Sequence, residues 1–233
     1  MVMAAFRFHE ELNHFLPRTR RTVEFSCACA RAATTKHMIE AIGVPHTEVG
    51  LVLVNGEPAG LGRMLQEGDR VEVLPMRPPL PGPMPRFVAD AHLGGLARLL
   101  RMAGFDTIYD NNIDDAEVET LAESEGRVAL TRDRDLLKRS GVERGCYVRA
   151  LKPAHQLAEV FRRLDLAPHV KAFSLCLSCN VPLRTVDKAA VHDRLPPAVR
   201  LAHNEFLTCD HCHGVFWKGS HWRRMRQLLD QIS

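Results

Sequence analysis

Val128-Ala-Leu-Thr-Arg-Asp-Arg-Asp-Leu136 is the stretch on which the reading of the whole chain turns. An apolar run stops at Thr131, two aspartates follow with one residue between them, and a helix-like Leu136-Leu-Lys-Arg139 comes next. Asp133 is thereby placed at the carboxyl end of a strand, the edge where α/β sheets keep their sites. Two earlier runs end in the same way, Phe87-Val-Ala at Asp90 and Thr107-Ile-Tyr at Asp110. Parallel strands would bring these carboxylates together, where they repel, and a hard divalent cation with oxygen ligands is the usual remedy. A metal-dependent acidic site is the expectation.

Working outward, Leu93-Gly-Gly-Leu-Ala-Arg-Leu-Leu-Arg-Met-Ala-Gly104 has apolar residues at helical spacing and a glycine stop. Gly94 and Gly95 in its first turn would admit either a phosphate or close helix–sheet packing. Residues 114–126 form a second helix whose first-turn acids Asp114, Asp115 and Glu117 suit the helix dipole or, alternatively, lean into the cleft as ligands. A short helix from Asp135, a strand at Cys146-Tyr-Val-Arg-Ala-Leu151 and a helix opened by Pro153 complete the unit. Strands alternating with helices of this length predict a parallel sheet.

On these residues the resemblance becomes specific. Residues 86–140 resemble the PIN-like ribonuclease fold, and Thr131-Arg-Asp133-Arg-Asp135 matches its Thr-x-Asp-x-Asp signature. More closely, Asp90 through Thr107 together with Leu130-Thr-Arg-Asp-Arg-Asp135 resemble the family named after the carboxy-terminal RNase domain of the mut-seven exonuclease. Bacterial members join a ubiquitin-like domain in front to a zinc ribbon behind. The resemblance implies a ribonuclease in which Asp90 and Asp133 ligate Mg²⁺ or Mn²⁺ for phosphodiester hydrolysis, with Asp135 and Asp115 completing the shell. The middle acidic position of the wider pattern is to be chosen from Asp110, Asp114, Asp115 and Glu117. Arg132 and Arg134 alternate with the ligands and point away from them if the strand persists, as phosphate contacts or outer salt bridges.

Residues 1–75 open with the alternating Ala5-Phe-Arg-Phe-His-Glu10, followed by Thr22-Val-Glu-Phe-Ser26 as its hairpin partner and a helix over 34–43. Gly50-Leu-Val-Leu-Val-Asn-Gly56 and Asp69-Arg-Val-Glu-Val-Leu-Pro75 are two further strands, and Asn55-Gly56 marks a tight turn. This α+β pattern resembles the ubiquitin-like β-grasp of small sulfur carriers, through Leu53-Val-Asn-Gly56 and Leu65-Gln-Glu-Gly-Asp-Arg-Val-Glu-Val73. Carriers end in a free Gly-Gly, whereas here the last strand runs into the proline-rich linker Met76-Arg-Pro-Pro-Leu-Pro-Gly-Pro-Met-Pro85. A docking or substrate-positioning module that recruits a protein partner is expected instead.

The division is therefore 1–75 ubiquitin-like, 76–85 linker, 86–167 PIN-like and 168–233 zinc ribbon. Cys176-Leu-Ser-Cys179 and Cys209-Asp-His-Cys212 are two knuckles for one structural tetrahedral Zn²⁺, and four thiolates leave no open position for catalysis. The 29 residues between the pairs exceed ribbon spacing and require an inserted loop around Leu195-Pro-Pro-Ala-Val199. Cys27, Cys29 and Cys146 have no ligand spacing and read as small buried hydrophobes. In the tail, Trp217 and Trp222 suit either base stacking or packing, and Lys218, Arg223, Arg224 and Arg226 are available to RNA phosphates.

Charge agrees with this division. The net of +3 conceals 9 basic and 9 acidic groups over residues 1–80, 8 and 11 over 81–140, and 14 and 8 over 141–233. An acidic cleft beside a basic surface suits a cation and phosphates. No apolar run approaches the roughly 20 residues of a membrane span, and no signal peptide is evident at the amino terminus. A cytoplasmic protein is expected. A catalytically idle RNA-binding adaptor and a protein-interaction module are the alternatives to the nuclease.

Overall fold

A computed structural model describes residues 1–78 and 84–232 of the chain. The β-grasp portion comprises β1 (Val2–Phe8), β2 (Phe25–Cys29), α1 (Thr35–Ile42), β3 (Val49–Val54), β4 (Glu57–Ala59) and β5 (Arg70–Pro75). The middle portion runs β6 (Phe87–Ala89), α2 (Gly94–Ala103), β7 (Thr107–Ile108), α3 (Asp115–Glu125), β8 (Val128–Thr131), β9 (Gly145–Tyr147) and α4 (Pro153–Leu164). The cysteine-rich portion follows with β10 (Leu183–Val186), α5 (Lys188–Val191), α6 (Pro197–Ala202), β11 (Phe206–Cys209), β12 (Val215–Phe216) and α7 (Ser220–Asp230). Of the linker expected at 76–85, residues 79–83 lie outside the described residues.

Packing groups the chain into two compact units, Met1–Pro78 with Asp115–Tyr147, and Pro79–Asp114 with Val148–Ser233. In the first, five strands form a sheet in the order β2-β1-β5-β3-β4. β1 pairs antiparallel with β2 and parallel with β5, which is the ubiquitin-like arrangement. Alternate residues Ala4, Phe6 and Phe8 of β1 bury one face against Ile39 and Ile42 of α1, as period-2 and period-3.6 patterns require. Thr34 accepts the N–H of His37 and caps α1, as its sequence suggests. The Asn55-Gly56 turn, with both residues at positive φ, returns the chain into β4, a three-residue strand too short to show as a period. The same unit contains the parallel pair β8–β9, in the register Thr131 with Tyr147. All four residues of β8 are buried, which accounts for a run without alternation.

In the second unit β6 and β7 pair in parallel, with Val88 opposite Ile108. Each unit thus carries a parallel strand pair flanked by helices, the pairing that the alternation of strands and helices predicts. Phe105 holds the core of the second unit, its ring edge-on to Phe87 at 5.9 Å and to Phe161 of α4 at 5.8 Å. The carboxy-terminal sheet has the order β10-β11-β12. The insertion between the knuckles is a small helical lobe containing α5 and α6 and packed around Val191, Leu195 and Phe206, where a loop was expected. Its helices have four and six residues, below what periodicity can register. No helix among the described residues is long and apolar enough to cross a membrane.

Candidate active site and metal centre

Each strand-end aspartate makes the same local turn. Asp90 Oδ1 accepts the N–H of His92 at 3.0 Å, Asp110 Oδ1 that of Asn112 at 2.8 Å, and Asp133 Oδ1 that of Asp135 at 2.7 Å. A carboxylate that takes the N–H two residues on ends the strand and turns the chain sharply. Thr131 repeats the device with its hydroxyl, which accepts the Asp133 N–H at 2.9 Å. Thr-x-Asp-x-Asp is thus two interlocked turns. In the second unit, Asp90 and Asp110 each lie two residues past the last paired position of adjacent parallel strands, so they leave at one sheet edge.

The remaining acids differ in surroundings. Asp135 is largely exposed and pairs with Lys138 at 3.0 Å. Asp115, about half exposed, pairs with Arg139 at 3.4 Å, and the same guanidinium reaches Glu119 at 3.2 Å. Asp110, Asp114 and Glu117 are on the surface. The first-turn glycines of α2 serve close packing. A Cβ on Gly94 would strike the Tyr109 ring, and one on Gly95 would come within 2.5 Å of Pro153. Tyr109 donates its hydroxyl to Ala91 O at 3.1 Å and so roofs this turn.

The strand does not persist beyond Thr131, so the expected alternation of Arg132 and Arg134 fails. Arg132 is exposed. Arg134 folds back on the ubiquitin-like portion and donates to His14 O at 3.0 Å and Phe15 O at 3.3 Å. Its guanidinium also lies 5.3 Å from the centre of the Phe15 ring and 5.9 Å from that of Tyr147. In the tail, Arg223, Arg224 and Arg226 are on the outer face of α7, where Arg226 pairs with Asp230 at 3.0 Å. Lys218 is exposed and bonded to Glu205 at 2.7 Å. Trp222 packs 5.0 Å from Phe173 and Trp217 against the helical lobe, so one face of each indole is committed to structure.

The four knuckle sulfurs lie within 4.8 Å of one another, with Cys176 Sγ 3.7 Å from Cys212 Sγ. Sulfurs about 2.3 Å from one tetrahedral Zn²⁺ stand about 3.8 Å apart, so the cluster fits that ion. Each knuckle turns through a left-handed residue directly after its second cysteine, Asn180 at φ +60° and His213 at φ +57°. As thiols the four hold their protons unevenly. The Gly214 N–H and then the Cys179 thiol pull Cys212 down to about 7, whereas burial and then the Cys212 thiol push Cys179 up to about 12. Cys29 and Cys146 are buried, as small hydrophobes should be, whereas Cys27 is half-buried.

The first knuckle is strapped to the α/β portion by residues that sequence reasoning passed over. Arg101 of α2, only 5% exposed, donates to Thr107 O at 2.9 Å, Leu177 O at 3.1 Å and Ser178 O at 2.8 Å. Burial lowers its pKa, offset in part by the Cys176 and Cys179 thiols. Asn180 accepts the Thr107 N–H at 3.0 Å and donates to Asp106 at 2.6 Å. One signal was present, because Arg101 falls four residues after Ala97 on the apolar stripe of α2, where a charge needs partners.

Comparison with known proteins places this architecture. The family model described as Mut7-C RNAse domain matches residues 85–229, and the one described as Mut7-C ubiquitin matches residues 1–80. No curated protein sequence matches the chain. Among solved structures, small archaeal modifier protein 1 of H. volcanii is 18% identical, over 32% of this chain and 98% of its own, with a TM-score of 0.27. A putative molybdopterin converting factor, subunit 1, from Pyrococcus furiosus is 19% identical over 32% of this chain and 98% of its own, with a TM-score of 0.26. The fold, the acidic turn at the end of β8 and a family match spanning well over half of the residues agree: the chain belongs to the Mut7-C RNAse domain family, with a ubiquitin-like domain in front.

Proposed function

We propose that this protein is a metal-dependent ribonuclease that hydrolyses RNA phosphodiester bonds at the aspartate-lined strand ends. Membership of an RNase-domain family supports the substrate class, and the interlocked turns of Thr131, Asp133 and Asp135 are the observation that carries the site. They fix backbone rather than consume the carboxylate, since Asp133 Oδ2 accepts no bond within the turn. Carboxylate oxygens are the donor set of Mg²⁺ and Mn²⁺, and the family resemblance assigns the ion to Asp90 and Asp133. When bound, it supplies polarisation of the phosphate and an acidified water. Asp135 and Asp115 act from outside, restrained by Lys138 and Arg139. Arg132, Lys218 and the α7 arginines would take backbone phosphates.

The domain division 1–75, 76–85, 86–167 and 168–233 is part of this reading. The ion pairs of Asp115 and Asp135 favour a second reading, an adaptor that binds RNA without cutting it. Cleavage of a mixed pool of structured and single-stranded RNAs, by wild type and Asp133→Asn with Mg²⁺, Mn²⁺ or chelator, decides between them. Metal-dependent cutting by wild type alone is expected. Binding without cutting by both proteins would establish the adaptor.

A further inference from the structure

We propose that the ubiquitin-like domain braces the acidic loop, and that Arg134 is a positioning residue of the site rather than an RNA contact. The kinetic part of this inference rests on the nuclease reading, while its structural part does not.

Two fastenings bracket the loop. At its far side, Arg134 sits between Asp133 and Asp135 in sequence and sends its fork into the carbonyls of His14 and Phe15. Those carbonyls end the 3₁₀ turn Glu10–Phe15, where a helical turn leaves its last oxygens without intrahelical partners. Rings of Phe15 and Tyr147 flank the guanidinium and meet each other edge-on at 5.2 Å, and His14 lies 5.3 Å from Tyr147. A planar cation with several fixed donors, held over aromatic faces, loses little freedom when it binds. At the near side, the Tyr147 N–H donates to Glu48 Oε1 at 2.7 Å, and Glu48 is 1% exposed. Tyr147 is the register partner of Thr131, the residue whose hydroxyl begins the turn. The ubiquitin-like domain therefore fixes both the strand entering the loop and the arginine within it. Asp133 is itself exposed, and its side chain bonds within its own short turn.

The test uses the full chain with Arg134→Ala and Arg134→Lys. Lysine keeps the charge but cannot fork to two carbonyls, and it supplies the readout should the alanine variant fail to fold. Amide hydrogen exchange is read over residues 132–136, followed by kcat, KM and the salt dependence of RNA binding. Under the proposal, exchange at Asp133 and Asp135 quickens by about tenfold or more in the alanine variant and less in the lysine variant. In parallel, kcat falls by roughly 10- to 100-fold, with KM and the salt slope held, because a displaced carboxylate costs rate rather than affinity. Unchanged exchange in both variants overturns the brace. An increase in KM at constant kcat, with a salt slope shallower by about 0.7, overturns it in favour of a phosphate contact. Should the wild type cut no RNA, the nuclease reading fails alone, and exchange still decides the brace.

Discussion

Thr131, Asp133 and Asp135 are joined by side-chain to backbone bonds that an amide preserves as well as an acid. Asp133→Asn keeps the Oδ1 acceptor for the Asp135 N–H and removes only charge. Cleavage is expected to disappear while the melting temperature stays within about 2 °C of wild type, a change of about 1 kcal/mol or less. A large fall in a thermal melt would assign the residue a structural role. Arg101 is the reverse case. Truncation to methionine strips three carbonyls of a buried donor and is expected to cost on the order of 3 kcal/mol in denaturant unfolding. Zinc should then pass to a chelator faster, and unaltered stability would show the strap to be passive. Glu119 adds a pH test. The Gly141 N–H and then Arg139 hold its carboxyl below the usual range. Its contribution is thus present above the unfolded value of about 4.5 and lost as pH falls through the lower folded value. Glu119→Gln should flatten the loss of stability on acidification below that pH, measured as melting temperature against pH.

Among the elements, α1 and α2 were readable from apolar spacing ended by a glycine, α3 from its first-turn acids and α4 from the proline that opens it. β7 has only two paired residues where the run Thr107-Ile-Tyr109 looked strand-like, because Tyr109 leaves the ladder to roof Gly94. β8 ends at Thr131 as its apolar run suggests, and the Asx turn of Asp133 removes the strand on which the alternation of Arg132 and Arg134 depended, a side-chain choice that periodicity does not record. The knuckles were readable as spacing and their strap was not, since Arg101 lies 76 and 77 residues from the knuckle carbonyls it bonds, and Asn180 lies 73 residues from Thr107. The knuckles are also where metal and fold meet. Cys209→Ser removes one of four thiolates and should release the zinc and loosen β11 and β12, visible as lost metal by mass spectrometry and as protease cleavage after residue 205. Full retention of zinc in that variant would refute the assignment.

For the whole molecule, the order of ubiquitin-like, α/β and cysteine-rich portions could be read from motifs and composition shifts. The packing of Asp115–Tyr147 with the first 78 residues could not, because it rests on buried Glu48 and on main-chain carbonyls, which no residue type advertises. The charge asymmetry carries its own prediction. Replacing Arg223, Arg224 and Arg226 together by alanine removes three exposed cations and should weaken RNA binding while lowering the salt slope by up to about 2, with the fold intact. An unchanged slope would move the RNA surface elsewhere. Lastly, the first compact unit is assembled from two segments separated by residues 79–114. During synthesis, the carbonyls of His14 and Phe15 emerge more than a hundred residues ahead of the arginine that closes on them. The ribosome therefore delivers a ubiquitin-like portion whose docking face stays open until Tyr147 has left the exit tunnel, and a pause in translation before that point would leave it exposed to chaperones and to wrong partners.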